Sequence, residues 1–227
     1  ISKVNKYIYI ACPKTATTSI QNFLLDQDHT SSRNEIVLNS RMIKFSDHDT
    51  TASVKVKLGD EFDEFKIICF MRHPYSKILS SYFFLKKSGK KELINPFKRN
   101  FRKLSFNKKL IRCANSLKFL SAKFLPFKLW AILYPYKSNM KYFLDEKNNI
   151  IVSFVGTYEN LNFDLEYFFK GLNLNFDYSK LKKMNVSKHA HYEKYFENSL
   201  FRTIINLKCN KDLKFYSTQK VKNNARI

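Results

Sequence analysis

The sequence predicts an α/β fold built on a mainly parallel central sheet. Three apolar, β-rich runs carry that prediction: Tyr7 to Ala11, Phe65 to Met71 and Ile150 to Val155. Each gives way to a stretch whose apolar residues recur at helical spacing. Strands that alternate with helices are the pattern of parallel sheets. With 227 residues, the chain is expected to form a single domain over 1–227, with a basic helical insertion at about 86–141.

The first strand ends in a turn, Cys12 to Thr17, that carries Lys14, Thr15 and Thr17. A helix follows from Thr18, with Ile20, Phe23 and Leu24 on its apolar side. Backbone N–H groups at a helix start carry positive partial charge and hold anions well. A lysine adds a point charge and hydroxyls add hydrogen bonds, so this strand–loop–helix is a candidate phosphate site. Read blandly, it is an ordinary turn rich in threonine. Asp26 to Ser40 is polar and loop-like, and Arg41 to Phe45 is short and mixed.

Ser46 to Thr51 has the look of a helix start, with Asp and Thr as caps, and Gly59 could end that helix. His48 lies at its start, where a lone histidine is ordinarily a solvated surface residue. The second strand ends in Arg72-His-Pro-Tyr-Ser, and Pro74 suits the first turn of a new helix. In open α/β sheets ligands bind at the C-terminal strand edge, where Arg72 joins Lys14. Its fork of donors matches a phosphate group. A helix ending at Gly171 follows the third strand. A polar loop, Leu181 to His191, leads to an amphipathic helix over Tyr192 to Leu213, and the tail from Thr218 is expected to fray.

The formal charge is +22, which implies acidic partners: phosphate- or sulfate-bearing ligands, anionic glycans, nucleic acid or a membrane surface. From Lys86 to Lys141 there are sixteen Lys and Arg against the single acid Glu92, a net of +15. Apolar residues such as Phe101, Leu110, Leu120 and Phe124 are threaded through this block. It reads as two or three amphipathic helices broken near Pro96, Pro126 and Pro135. Such a block could be a solvated face, a dock for an anionic acceptor or a patch lying on anionic lipid. Cys12, Cys69, Cys113 and Cys209 form no C-x-x-C pair and have no histidine at ligand spacing, so no metal is expected and a reducing compartment fits. No signal peptide and no membrane-length apolar run is visible. The expected location is cytoplasmic or membrane-peripheral, or the Golgi lumen if an N-terminal anchor precedes Ile1.

Three stretches together carry a family resemblance. PKTATTSI, Pro13 to Ile20, resembles the 5′-phosphosulfate loop of sulfotransferases that use PAPS (3′-phosphoadenosine-5′-phosphosulfate). RHPYSKILSSY, Arg72 to Tyr82, resembles their 3′-phosphate motif, an Arg-x-Pro followed by a helical serine. VGTYENLNFD, Val155 to Asp164, resembles the downstream segment of the carbohydrate-type, family 2-like branch. His48-Asp-Thr-Thr-Ala52 falls where that branch has a His-x-x-Ala-like element, and LKKMNVSKHAHYEKYF resembles its Asn-x-Ser loop. The resemblance covers nearly the whole chain except the basic block. Two positions depart from the pattern: Ala16 replaces the usual Gly, and Lys77 a common Arg.

The resemblance implies a three-layer, P-loop-like fold related to nucleotide kinases. It implies transfer of the sulfuryl group of PAPS to a hydroxyl or amine of an acceptor, a glycan or glycolipid above all, as in polysaccharide biosynthesis. Pro13, Lys14, Thr15, Ala16, Thr17, Thr18 and Ser19 would hold the 5′-phosphosulfate, and Lys14 would stabilise the leaving oxygen. Arg72 and Ser80 would hold the 3′-phosphate, and Asn185 and Ser187 would border the nucleotide. His48 is the leading general base, because an ordinary imidazole pKa of about 6.5 suits proton abstraction near neutrality. Asp47, Glu61 and Glu64 are fallback bases. The chemistry needs no metal. The rivals are a P-loop kinase or NTPase, and a non-enzymatic basic module binding nucleic acid or anionic membrane. The kinase would require glycines that this loop lacks. Sequence-specific nucleic-acid binding would require a reading motif, and none is found.

Overall fold

The computed structural model describes residues 1–92, 105, 117, 119–182, 184 and 189–224. The chain divides into two compact units. One comprises Ile1–His73, Ser138–Val186 and Lys211–Ile227, and the other Pro74–Lys137 and Ser187–Asn210.

The first unit is mixed α/β around a small parallel sheet. Its strands are β1 (Tyr7–Ile10), β4 (Lys66–Met71) and β5 (Phe154–Thr157), in the order β1-β4-β5. Both pairings are parallel, with Ile10 opposite Cys69 and Met71 opposite Thr157. Side chains alternate across a strand, and both faces are covered. Ile8, Ile10, Ile67, Cys69 and Val155 pack under helix α2 (Thr51–Leu58) through Val54 and Leu58, and against Phe143 and Tyr216. Tyr7, Tyr9, Ile68, Phe70 and Phe154 face helices α1 (Thr17–Gln27) and α5 (Leu161–Lys170) through Ile20, Phe23, Leu165 and Phe169. Coverage on both faces explains why the strands read as continuous apolar runs.

Several expectations change. The helix expected from Tyr192 begins only at Ser199, after a short 3-10 turn over Tyr192–Tyr195. The stretch read as loop from Asp26 to Ser40 holds the end of α1 and strand β2 (Glu35–Leu38). This pairs antiparallel with β3 (Arg41–Lys44) and turns Ile36, Leu38 and Ile43 into the core. Four-residue strands with one apolar face leave too little periodicity to separate from a loop. The third sheet strand begins four residues later than the run IIVSFV suggests: Ile150 forms an isolated bridge with Leu144, and regular pairing starts at Phe154. The tail from Thr218 does not fray. Helix α6 (Ser199–Asn224) continues through it, and Asn223 is buried, its amide bonded to the Val155 carbonyl at 3.3 Å and to Asp164 at 3.1 Å. α6 breaks helical geometry at Cys209 (φ −125°, ψ 21°), close to the residue where the chain passes from the second unit back to the first.

The second unit contains helices α3 (Pro74–Glu92) and α4 (Phe127–Leu133) and the first part of α6. Pro74 opens α3 as expected. Aromatic rings hold the unit together: Tyr82 lies 5.2 Å from Trp130, and Tyr75 stacks on Phe196 at 4.2 Å. Lys208 closes the C-terminal end of α4, donating to the carbonyls of Ala131 at 2.9 Å and Tyr134 at 2.7 Å. Cations at that end oppose the helix dipole. Lys77 donates to the Lys137 carbonyl and lies 4.9 Å over the Tyr136 ring. Much of the expected basic insertion, 93–104 and 106–116 with Cys113, lies outside the described residues. Among the described residues, no helix is long and apolar enough to cross a membrane.

Candidate functional site

The loop between β1 and α1 owes its shape to two residues in left-handed backbone geometry, Lys14 at φ 69° and Ala16 at φ 61°. Ala16 is the N-cap of α1, and its carbonyl accepts the first helical bond from Ile20 at 3.1 Å. The position therefore needs the positive φ that glycine supplies without strain. The hydroxyls of Thr15 and Thr17 both donate to the Cys12 carbonyl, at 2.8 and 2.7 Å. A hydroxyl has one proton, so these two threonines brace the loop from within. Thr18 is half-buried at the helix start, and Pro13 is half-buried in the loop. Ser19 is buried, and its oxygen accepts the backbone N–H of Met184 at 2.9 Å, tying part of the Leu181 to His191 segment to α1.

Arg72, just beyond β4, reaches the same loop. Its guanidinium donates to the Lys14 carbonyl at 3.3 Å and lies 4.1 Å over the ring of Tyr158. Burial lowers the pKa of Arg72, against the pull of Tyr158 and Glu159. Lys14 is also drawn out of water, and burial together with the charge of Arg72 lowers its pKa from 10.5 to about 8. Two cations are thus held side by side at the C-terminal edge of a parallel sheet, next to the N-terminus of α1. Each like charge in a desolvated spot disfavours the other, and an anion there would reverse that penalty.

His48 comes to the same strand edge. Its Nδ1 lies 2.9 Å from the carbonyl of Ala11, the residue after β1. A carbonyl only accepts, so Nδ1 carries the proton in the neutral ring and Nε2 keeps a lone pair. That is the tautomer a general base requires. The three fallback carboxylates are engaged elsewhere. Asp47 accepts from Asn34 at 3.1 Å, Glu61 from Asn39 at 2.8 Å, and Glu64 pairs with Lys6 at 2.6 Å. The helix start after His48 is capped as foreseen: the Thr50 hydroxyl accepts the Ser53 N–H at 3.2 Å.

Tyr158 and Glu159 are the contributors that sequence reasoning passed over. Glu159 accepts the His73 N–H at 3.2 Å and the Tyr216 hydroxyl at 2.9 Å, so it fixes the chain beside Arg72 while Tyr158 supports the guanidinium. Both immediately follow β5, and the strand-edge rule that singled out Arg72 could have found them. Ser80 is buried on α3 in the second unit, and Asn185 and Ser187 lie outside the described residues. Among the described residues, no group of three or more His, Cys, Asp and Glu is placed to hold a metal. No protein-family model, curated protein or solved structure matches the chain.

Proposed function

We propose that the protein transfers the sulfuryl group of PAPS to a hydroxyl or amine of an acceptor, with a glycan or glycolipid as the favoured class. The observation that carries this reading is the pairing of Lys14 and Arg72 at one sheet edge, with His48 on the same strand end. The loop residues suit the group: a desolvated lysine and arginine beside helix-start amides form a cradle for a multiply charged anion. The fold that goes with this reading is the three-layer, P-loop-like one. PAPS supplies an activated sulfuryl group whose leaving oxygen belongs to a phosphate. In this scheme His48 Nε2 takes the proton from the acceptor hydroxyl as its oxygen attacks sulfur. The bond from sulfur to the bridging oxygen breaks, and Lys14 stabilises the charge that develops on that oxygen. Arg72, supported by Tyr158, holds a second phosphate. Thr15 and Thr17 preserve the loop, leaving anion contacts to the amides, Lys14, Thr18 and Ser19.

Retention on immobilised 3′,5′-ADP at moderate salt is the first test, followed by turnover of labelled PAPS over a panel of glycan acceptors. Lys14→Ala and Arg72→Ala are expected to abolish both retention and transfer. His48→Ala should keep retention and lose about 100-fold or more in turnover. Preference for ATP with magnesium would point instead to a kinase. Equal release of both nucleotides by salt would leave only a basic surface.

A further inference from the structure

The second unit carries an apolar surface that its own packing does not use. α4 turns Trp130 and Ala131 inward, each 1% exposed. A surface helix ordinarily shows polar residues on the opposite side. Here the outer side carries Leu129, Ile132 and Leu133, which are 46%, 37% and 64% exposed. Their i, i+3, i+4 spacing puts them in one stripe. Leu117 and Phe124, seven positions apart and both helical, are 65% and 70% exposed. The two sets are joined by an apolar cleft of about 240 Å³ lined by Leu117, Leu125, Trp130, Leu133 and Tyr134. Lys123, Lys128 and Lys137 are exposed around it, and no Asp or Glu occurs from Leu117 to Lys137.

From this juxtaposition we infer that residue 117 and residues 119–137 dock the protein on an anionic lipid surface. The aliphatic stripe enters the boundary between headgroups and acyl chains. The lysines stay at headgroup level against lipid phosphates and carboxylates. Charge selects this occupant. A second copy would bring the same lysines and an overall charge of +22 against them. Nucleic acid would answer the lysines, and a base could stack on Phe124, but it offers nothing to the four exposed aliphatic side chains. An anionic bilayer satisfies both. The inference is independent of the sulfuryl-transfer reading and stands or falls without it.

The chain contains one tryptophan, Trp130, in the cleft itself, which makes it an internal reporter. The intact protein is mixed with vesicles of phosphatidylcholine alone or of roughly 7:3 phosphatidylcholine and phosphatidylserine, at about 0.15 M salt. Sedimentation is expected with the anionic vesicles, together with quenching of Trp130 by brominated acyl chains. The triple variant Leu129→Ser, Ile132→Ser, Leu133→Ser keeps every charge and should bind about tenfold or more weakly. Lys123→Gln with Lys128→Gln should weaken binding to anionic vesicles as well. Absence of quenching in the unaltered protein would overturn the inference without recourse to any variant. So would a triple variant that sediments like its parent, because adhesion would then be the general attraction of a cationic chain. A lipid-free dimer that the triple variant loses would assign the surface to a second copy.

Discussion

Lys14 is held in a state that costs the free protein stability. Its ammonium ordinarily titrates at 10.5, and burial reinforced by Arg72 brings that to about 8. Between those values the unfolded chain keeps a proton that the folded chain has released, so this residue's contribution to stability rises with pH there. Below pH 8 the cost is fully present, and above 10.5 it is gone. Lys14→Met should therefore stabilise the protein at neutral pH by on the order of 2 kcal/mol. Urea unfolding across this range should show the gain shrinking as pH rises; a constant gain would exclude the charge as its cause. Ala16 supplies a second test. A left-handed alanine costs about 1–2 kcal/mol, and glycine gives back about 0.4–1 kcal/mol through the unfolded state. Ala16→Gly should then stabilise by about 0.5–1 kcal/mol, read as a higher urea midpoint; an unchanged or lower midpoint would remove the left-handed backbone of Ala16 as a source of strain. His48, read by itself as a solvated surface residue, was singled out by the family resemblance alone; Lys14 and Arg72 could be named from residue type and their place at strand ends. The inward bonds of Thr15 and Thr17 could not, because they depend on the φ angles of their neighbours. Tyr158 was within reach of the strand-edge rule, because it directly follows β5, but its residue type does not announce that it supports a guanidinium.

Elements were legible where their apolar pattern was long and hidden where it was short. α1, α2, β4 and α5 follow from period and punctuation: Pro74 marks the turn after β4, Gly59 the end of α2 and Gly171 the end of α5. The β2–β3 ribbon and the true start of β5 depend on partners distant in sequence. β5 also contains Gly156, an unusual choice inside a strand. A Cβ built there would sit 2.3 Å from the Phe70 ring, which is wholly buried and has no room to withdraw. Gly156→Ala should cost about 1–3 kcal/mol in urea unfolding, with part of the loss recovered by Phe70→Leu in the same chain. Additive effects of the two changes would remove Phe70 as the cause. The end of β5 is tied down by Asp164, buried on α5, which accepts the Thr157 N–H at 2.6 Å and its hydroxyl at 2.9 Å. Asn223 donates to the same carboxylate, so one buried acid joins a strand end, a helix and the C-terminal helix. Buried contacts of this kind, at Gln219 and Asn223, explain why a lysine- and asparagine-rich tail stays helical, and they are invisible to composition.

For the molecule as a whole, forty-one Lys and Arg against nineteen acids make self-repulsion a general cost that any salt will screen. A specific anion site must be separated from that background. Ligand that binds only the folded chain stabilises it by about 2.7 kcal/mol at a hundredfold excess over its Kd. For a chain of 227 residues that corresponds to a rise of roughly 5–10 °C in Tm. At matched ionic strength, 3′,5′-ADP should produce this rise and sodium chloride a smaller one. If the anion sits between Lys14 and Arg72, Arg72→Gln removes the nucleotide's increment while the chloride response stays as in the parent. The residual cation in that variant, Lys14, keeps the burial that chiefly depresses its pKa but loses the like charge of Arg72, so its pKa rises. An Arg72→Gln chain that keeps the full nucleotide response would place the anion elsewhere on the basic surface and sever Arg72 from Lys14 as a functional pair.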